Sequence, residues 1–303
     1  MDLTRDVLYR GYLLNDEDIQ SNIVAGDFTG SGISGCVIDN VDWSDVDVVQ
    51  FMEKRSQQDG MDAGQPFLGA RRLRVSGTLY GYTRALLYDA YMELRAVMSP
   101  VLAYRDEPLD KGYQPLYFTQ PTNRIADYAT GYIDLRVLAL PRAFQAVFQI
   151  DGQGGAAGDA LAIPWQATFI CKDPSITGDT PQDYDLYAAA SGNTINRGTY
   201  LCPVDMLIIV GTAAGSLACI IGDSVFTITI PASAGNRTLR FKGADKMFTV
   251  EENSVELPRM DLISFVGTST WPLIAPGTVA YAVTPTAVTV ANNSHMWFYE
   301  QYA

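Results

Sequence analysis

The apolar positions of this 303-residue chain alternate far more often than they recur at helical spacing. In "RRLRVSGTLYG", residues 71–81, Leu73, Val75 and Leu79 fall on one side of a period of two, interrupted by the small pair Ser76 and Gly77. That pattern predicts a half-buried strand with a bulge or sharp bend at the small residues. From Thr83 the period changes. Leu87, Tyr91, Leu94 and Met98 recur at helical spacing, Leu86, Ala90 and Val97 widen the stripe, Thr83 can cap the start and Pro100 stops the end. One helix is predicted, over about residues 84–98.

Strands are also predicted at "PVLAYR", "QPLYFTQP", "TGYIDLRVLAL" and "AVFQI", each bounded by Pro, Gly or Asp, while "DGQGGAAGD" reads as a loop or the tip of an extended hairpin. After "WQATFICKDPSI" comes the polar, loop-like "TGDTPQDYDLYAAASGNT", where a domain boundary is expected. Beyond it lies strand after strand: "VDMLIIVG", "SLACIIGDSVFTITIP", "RTLRFKG", "KMFTVEE", "LISFVG", "TVAYAV", "TAVTVAN" and "HMWFYEQ". Turn residues separate them at the spacing of a β-sandwich or jelly roll. The fold class expected is mainly β, with a barrel-like N-terminal domain that carries the one helix (1–178), a linker (179–194) and a C-terminal β-sandwich (195–303).

Charge changes this picture in one respect. The net charge is −13, so a polyanion is repelled on average and general nucleic-acid binding is disfavoured. The distribution is uneven. Residues 1–63 hold thirteen acids against four bases, whereas residues 71–105 hold six arginines against Asp89 and Glu93. Such asymmetry commonly gives only solvated faces of opposite sign. It also suits copies of the chain that meet acidic face to basic face, with Arg71, Arg72 and Arg74 opposite Asp42, Asp45 and Asp47.

Candidate chemistry adds little. Cys36, Cys171, Cys202 and Cys219 lie far apart with no C-x-x-C pair, and their apolar neighbours predict buried, reduced thiols. His295 is the single histidine, too few for a histidine-rich metal site, and is expected at a surface or strand edge. The acids of "DNVDWSDVD", Asp39 to Asp47, miss the spacing of a calcium loop, with Ser44 at the sixth position and Gln50 at the twelfth. "GQGGAAG" lacks the Lys and Ser or Thr of a phosphate loop. No catalytic residue, cofactor or metal site is expected. Trp271 and Trp297 could stack on sugar faces, the alternative carbohydrate-binding reading, although core packing is the commoner use of such rings. The acidic N-terminus lacks the apolar run of a signal peptide, which leads us to expect synthesis in a cytoplasm. No window approaches the roughly 18 apolar residues of a membrane span, so no membrane insertion is expected.

Taken in order, the motifs resemble the distal tail protein family of long-tailed bacteriophages. The arginine-led strand that turns at Gly77 and Gly81 into an amphipathic helix is similar to that family's "R-x-I-x-V-x-G" segment and its helix. "WQATFICKDPSI" resembles the family's strand ending in an F-x-C-x-D-P-like corner. "NRGTYLCPVDMLIIVG" is similar to the opening of its C-terminal half, with Cys202 and Asp205 as departures, and "WPLIAPGT" looks like its "P-x-L-x-P-G-x-N" turn, with Thr278 for asparagine. The resemblance implies a homo-hexameric ring at the tail tip of a virion. N-terminal domains would close into a belt around the tail channel and galectin-like C-terminal sandwiches would project outward. Its partners would be the tail tube protein, the baseplate hub and the fibre or receptor-binding proteins. DNA would pass through the lumen without specific contact, and the chain would have no catalysis of its own.

Overall fold

The computed structural model describes residues 5–25, 34–44, 48–49, 52–54, 61–63, 67–68, 70–122, 131–146, 161–172, 175–187 and 190–302. The chain divides into two compact units, residues 1–176 and 177–303.

In the N-terminal unit, β1 (Val7–Tyr9) and β2 (Tyr12–Asn15) form a tight hairpin through Arg10 and Gly11, both at positive φ. The helix α1 (Glu17–Ala25) follows. Then come β3 (Ser34–Trp43) and four short strands, β4 (Val48–Val49), β5 (Met52–Lys54), β6 (Met61–Ala63) and β7 (Phe67–Leu68). After β8 (Arg71–Gly81) the chain forms α2 (Arg84–Val97) and α3 (Pro100–Asp106), then β9 (Gln114–Pro121), β10 (Tyr132–Ala146) and β11 (Leu161–Cys171). The principal sheet is antiparallel, in the order β2-β1-β9-β10-β11-β8-β3.

This sheet curls without closing as a barrel. Its two ends meet through one side chain and one backbone bond rather than a ladder. Asn15, fully buried at the end of β2, accepts from the Ile38 N–H at 2.8 Å and donates to the Arg5 carbonyl at 2.6 Å. Beside it, the Asp16 N–H donates to the Cys36 carbonyl at 3.0 Å. A buried edge amide left unpaired is costly, so a side-chain amide that substitutes for a ladder bond explains why asparagine sits in an apolar strand.

The strand β8 is the spine of the unit. Its inward positions are Arg71, Leu73, Val75, Gly77, Leu79 and Gly81, and its ladder with β11 is uninterrupted from Arg71–Cys171 to Gly81–Leu161. The bulge expected at Ser76-Gly77 lies instead on the facing strand β3, between Ile38 and Asn40. Glycine is required at 77 for a different reason. A Cβ there would stand 2.2 Å from the Val37 carbonyl oxygen and 2.9 Å from the Trp165 ring. At Gly81 a Cβ would meet the backbone of Leu87 at 2.8 Å, which lets α2 lie directly on the end of the strand.

The helix α2 forms where the period predicts it. Thr83 Oγ1 accepts from the Leu86 N–H at 3.2 Å, and Leu87, Ala90, Leu94 and Met98 are buried. Arg10 caps the other end, with Nη1 donating to the carbonyl of Val97 at 2.8 Å and Nη2 paired with Asp106, a cation set where the helix dipole is negative. Pro100 ends this helix but also begins another. Ser99 Oγ accepts from the Leu102 N–H at 3.4 Å and Pro100 occupies the first turn, where no N–H is needed, so "PVLAYR" is α3 and not the expected strand. The unexpected α1 is capped by Asp16, whose Oδ1 accepts from the N–H groups of Asp18 and Ile19 at 3.0 and 3.1 Å. One expected helix has become three among the described residues. The expected strand "AVFQI" beyond Ala146 and the loop "DGQGGAAGD" lie outside the described residues.

The C-terminal unit is a two-sheet sandwich. After β12 (Ile176–Gly178), which spans the division, its chain runs through β13 (Gln182–Asp185), β14 (Ser191–Asn196), β15 (Cys202–Pro203), β16 (Asp205–Val210), β17 (Gly215–Ile221), β18 (Ser224–Ile230), β19 (Arg237–Lys242), β20 (Met247–Glu252) and β21 (Val255–Pro258). A 3-10 turn (Met260–Leu262) precedes β22 (Ile263–Phe265), β23 (Leu273–Ile274), β24 (Gly277–Thr286), β25 (His295–Phe298) and β26 (Gln301–Tyr302). One sheet has the order β13-β25-β16-β19-β20-β21 and the other β14-β24-β17-β18-β22, all antiparallel. Alternate residues interdigitate between them: Phe226 of β18 stacks on Phe241 of β19 with ring centroids 5.4 Å apart, and Tyr184 meets Tyr281 at 5.6 Å. Each fully buried ring of this kind is worth roughly 1.5–3 kcal/mol relative to exposure.

Two expectations are corrected here. Residues 179–194 are not a linker, because β13 and the start of β14 occupy them as edge strands of the two sheets. "TAVTVAN" is not a strand. Ala287 sits at φ +59, which turns the chain, and only the bridge Val210–Val290 remains.

Candidate functional site

The alternation of β8 decides which of its arginines can meet a partner. Leu73 and Val75 take the core face, so Arg72 and Arg74 point to solvent, and Arg71, on the core side, is only 8% exposed. Its guanidinium lies 5.8 Å over the Trp43 ring and lowers the acidity-opposing effect of burial on Cys171. Arg74 faces Asp42 across the β3–β8 ladder, so those two predicted residues are cross-strand neighbours within one chain, both exposed. Arg72 continues the strand pairing beyond Trp43, its N–H donating to Ser44 Oγ and its carbonyl accepting from the Ser44 N–H, each at 2.9 Å. Asp45 and Asp47 lie outside the described residues.

The six arginines of residues 71–105 do not share one face. Helix α2 packs on the core side of β8, through Gly81 and Leu87, so Arg84 and Arg95 lie across that layer from Arg72 and Arg74. Arg105 pairs with Asp106 at 3.0 Å, and hydrogen bonds from Arg105 and Arg10 hold the Asp106 carboxyl below its usual range.

Elsewhere the side chains are structural. All four cysteines are buried and free. Burial pushes Cys171 and Cys219 up to about 12 and Cys202 up to about 11, and raises Cys36 well above its ordinary value, so none is poised as a thiolate. The departure at Cys202 places a small apolar side chain in the sandwich core, and Asp205 accepts from the Gly243 N–H at 2.8 Å. Asp39 accepts from Thr78 Oγ1 at 2.8 Å. Among the described residues, no three of His, Cys, Asp and Glu converge as metal ligands, and no helix is long and apolar enough to cross a membrane.

The two tryptophans proposed for glycan contact line separate clefts of the sandwich. Trp297 points outward from β25 beside His295, whose Nδ1 lies 3.1 Å from Asp183 Oδ1, in a cleft of about 260 Å³. His295 is on an inner strand of its sheet, between β13 and β16, and not at an edge. Trp271 is half-buried, packed on Phe241 at 4.5 Å and Phe265 at 5.7 Å, and borders a cleft of about 480 Å³. Thr278 shares the segment "WPLIAPGT" with Trp271, but Leu201 and Asp223 come from elsewhere in the chain, so that motif alone could not announce the whole site.

No family model matches the sequence, and no curated protein matches it. Solved structures do. Two structures of the phage p2 baseplate in its activated conformation, with Sr and with Ca, are 7% and 6% identical over 90% of this chain and 92% of theirs, with TM-scores of 0.39 and 0.38. The crystal structure of the SPP1 Dit protein, a paradigm of the hub adsorption apparatus in phages that infect Gram-positive bacteria, is 13% identical, covers 98% of this chain and 99% of its own, and has a TM-score of 0.54. From end to end, this chain has the fold of the SPP1 Dit protein.

Proposed function

We propose that this chain is a structural protein of a phage tail tip, made in the host cytoplasm and carried in the virion. Six copies close into a ring that joins the tail tube to the baseplate hub and its fibre or receptor-binding proteins. The observation that carries this reading is the likeness to the SPP1 Dit protein across both units, 98% of this chain, where a shared sandwich alone would have matched only one. The charge pattern supports it. Head-to-tail contacts between copies close into rings when the rotation allows, and such contacts need two different, complementary patches on each copy. Arg72 and Arg74, exposed on the outer face of β8, supply one patch; Asp42 already neighbours Arg74 within its own chain, so the acidic complement lies on another surface of the adjoining copy. Arg71 is turned inward and takes no part. A net charge of −13 suits a lumen through which DNA passes without adhering.

The test is the double change Arg72→Glu and Arg74→Glu, assembled with the neighbouring tail proteins and followed by native mass spectrometry. Loss of one partner of a desolvated charge pair costs roughly 2–5 kcal/mol, enough to move the mass distribution from ring to single copies. Circular dichroism should be unchanged, since neither side chain is part of the core. An unaltered ring mass would refute this contact.

A further inference from the structure

We infer that the cleft bordered by Trp271 is a binding site for a neutral hexopyranosyl glycan. The cleft, about 480 Å³, falls within the roughly 300–1,000 Å³ of small-ligand sites. Three segments build it: the β17–β18 turn at Gly222 and Asp223, the segment Thr270–Trp271, and the start of β24 from Thr278 to Ala280.

These walls are held in place without a ligand. The Gly222 N–H donates to the Ala280 carbonyl at 3.0 Å, which ties the turn to β24. Ser269 Oγ accepts from the Val225 N–H at 3.2 Å, which pins the segment leading to Trp271. Phe241 and Phe265 then pack the indole from the core side, so its position is fixed while part of it borders the cleft. A ring fixed in this way loses little side-chain entropy when a ligand stacks on it.

The lining chemistry selects the ligand. A pyranose presents a patch of C–H groups on one face and a rim of hydroxyls that donate and accept. Trp271, with Leu273 and Leu201, offers an apolar surface for the first, while the exposed carboxylate of Asp223 and the hydroxyls of Thr270 and Thr278 offer partners for the second. A carboxylate only accepts, so it suits a donor-rich ligand. No Lys, Arg or His lines the cleft among the described residues, and Asp223 adds a negative charge, so phosphates and acidic sugars are repelled.

Saturation-transfer difference NMR on the full chain tests the proposal, with methyl glucoside, methyl galactoside, methyl rhamnoside and N-acetylglucosamine as probes and glucuronic acid as the charged comparison. At least one neutral probe should show transfer concentrated on the protons of one ring face. Asp223→Asn, an exposed turn change confirmed as folded by circular dichroism, should weaken its binding about five- to tenfold. Trp297→Ala, in the other cleft, should leave it unchanged. Because Trp271 also packs on the core, Thr278→Val serves as the second lining variant and should weaken binding too. Absence of transfer to every neutral probe, preference for glucuronic acid, or binding indifferent to Asp223→Asn but lost in Trp297→Ala would each overturn the assignment. The measurement needs no assembled ring, so its outcome is separate from that of the tail-tip reading.

Discussion

Replacing Asn15 by alanine should open the N-terminal sheet where its two ends meet. The buried amide joins β2 to β3 by accepting from the Ile38 N–H at 2.8 Å and holds the Arg5 carbonyl at 2.6 Å. Alanine keeps neither bond. Ile38 is 2% exposed, so its N–H is stranded away from water at a cost of about 1–3 kcal/mol. Arg5 is exposed, and water can replace most of what its carbonyl loses. A total of about 2–4 kcal/mol follows, a large share of the roughly 5–15 kcal/mol that stabilises an ordinary domain. Urea denaturation of the full chain followed by tryptophan fluorescence measures the loss, and native-state hydrogen exchange locates it. The Ile38 amide should lose protection while the β9–β10 ladder, from Leu116–Val137 outward, keeps its own. A loss below about 0.5 kcal/mol, or an Ile38 amide still protected, would refute the idea that this side chain closes the sheet.

Three further outcomes follow from the packing. Gly77→Ala, whose Cβ would stand 2.2 Å from a backbone oxygen, should cost about 1–3 kcal/mol or more, and clearly more than Gly11→Ala, where φ is +75 but nothing lies within 4 Å; equal thermal shifts would contradict the close-approach argument. Ser99→Ala should cost about 1 kcal/mol through the lost α3 cap, visible as a lower denaturation midpoint, and an unchanged midpoint would count against that cap. The thiols should resist a disulfide reagent at pH 8 in the native chain and react fully in denaturant. Because burial raises the folded values of Cys171 and Cys219 to about 12 from an ordinary 9.0, the unfolded chain releases protons that the native one retains, so stability should fall as pH rises from 9 towards 12; a flat profile there would deny the burial effect.

Core-directed patterns were legible in the sequence, whereas edges and contacts distant along the chain were not. Leu87, Ala90, Leu94 and Met98 announced α2 because a core demands that period, and Thr83 marked its start. Pro100 was misleading because a residue that must end one helix is equally suited to begin the next, and a four-residue apolar run such as Val101 to Tyr104 fits either period. The strands β13 and β14 looked like loops because each is the edge of its sheet and carries mostly polar or exposed residues. "TAVTVAN" had strand composition, yet the left-handed backbone at Ala287 overrode it. For the candidate interface, the sequence showed the charge but not its sidedness: strand alternation turns Arg71 inward and Arg72 and Arg74 outward, and the packing of α2 removes Arg84 and Arg95 to the far side of β8. The Trp271 cleft was legible only in part, because Trp271 and Thr278 share "WPLIAPGT" whereas Asp223 joins them only through the pairing of β17, β18 and β24.

Copies of this chain are proposed to form a closed ring. Multi-angle light scattering of the full chain with its neighbouring tail proteins, paired with electron microscopy, tests it most directly. Six copies of 33.1 kDa predict a homo-oligomeric component of about 200 kDa and a six-fold ring. A single 33.1 kDa species at high concentration, with no ring in the presence of those partners, would contradict it.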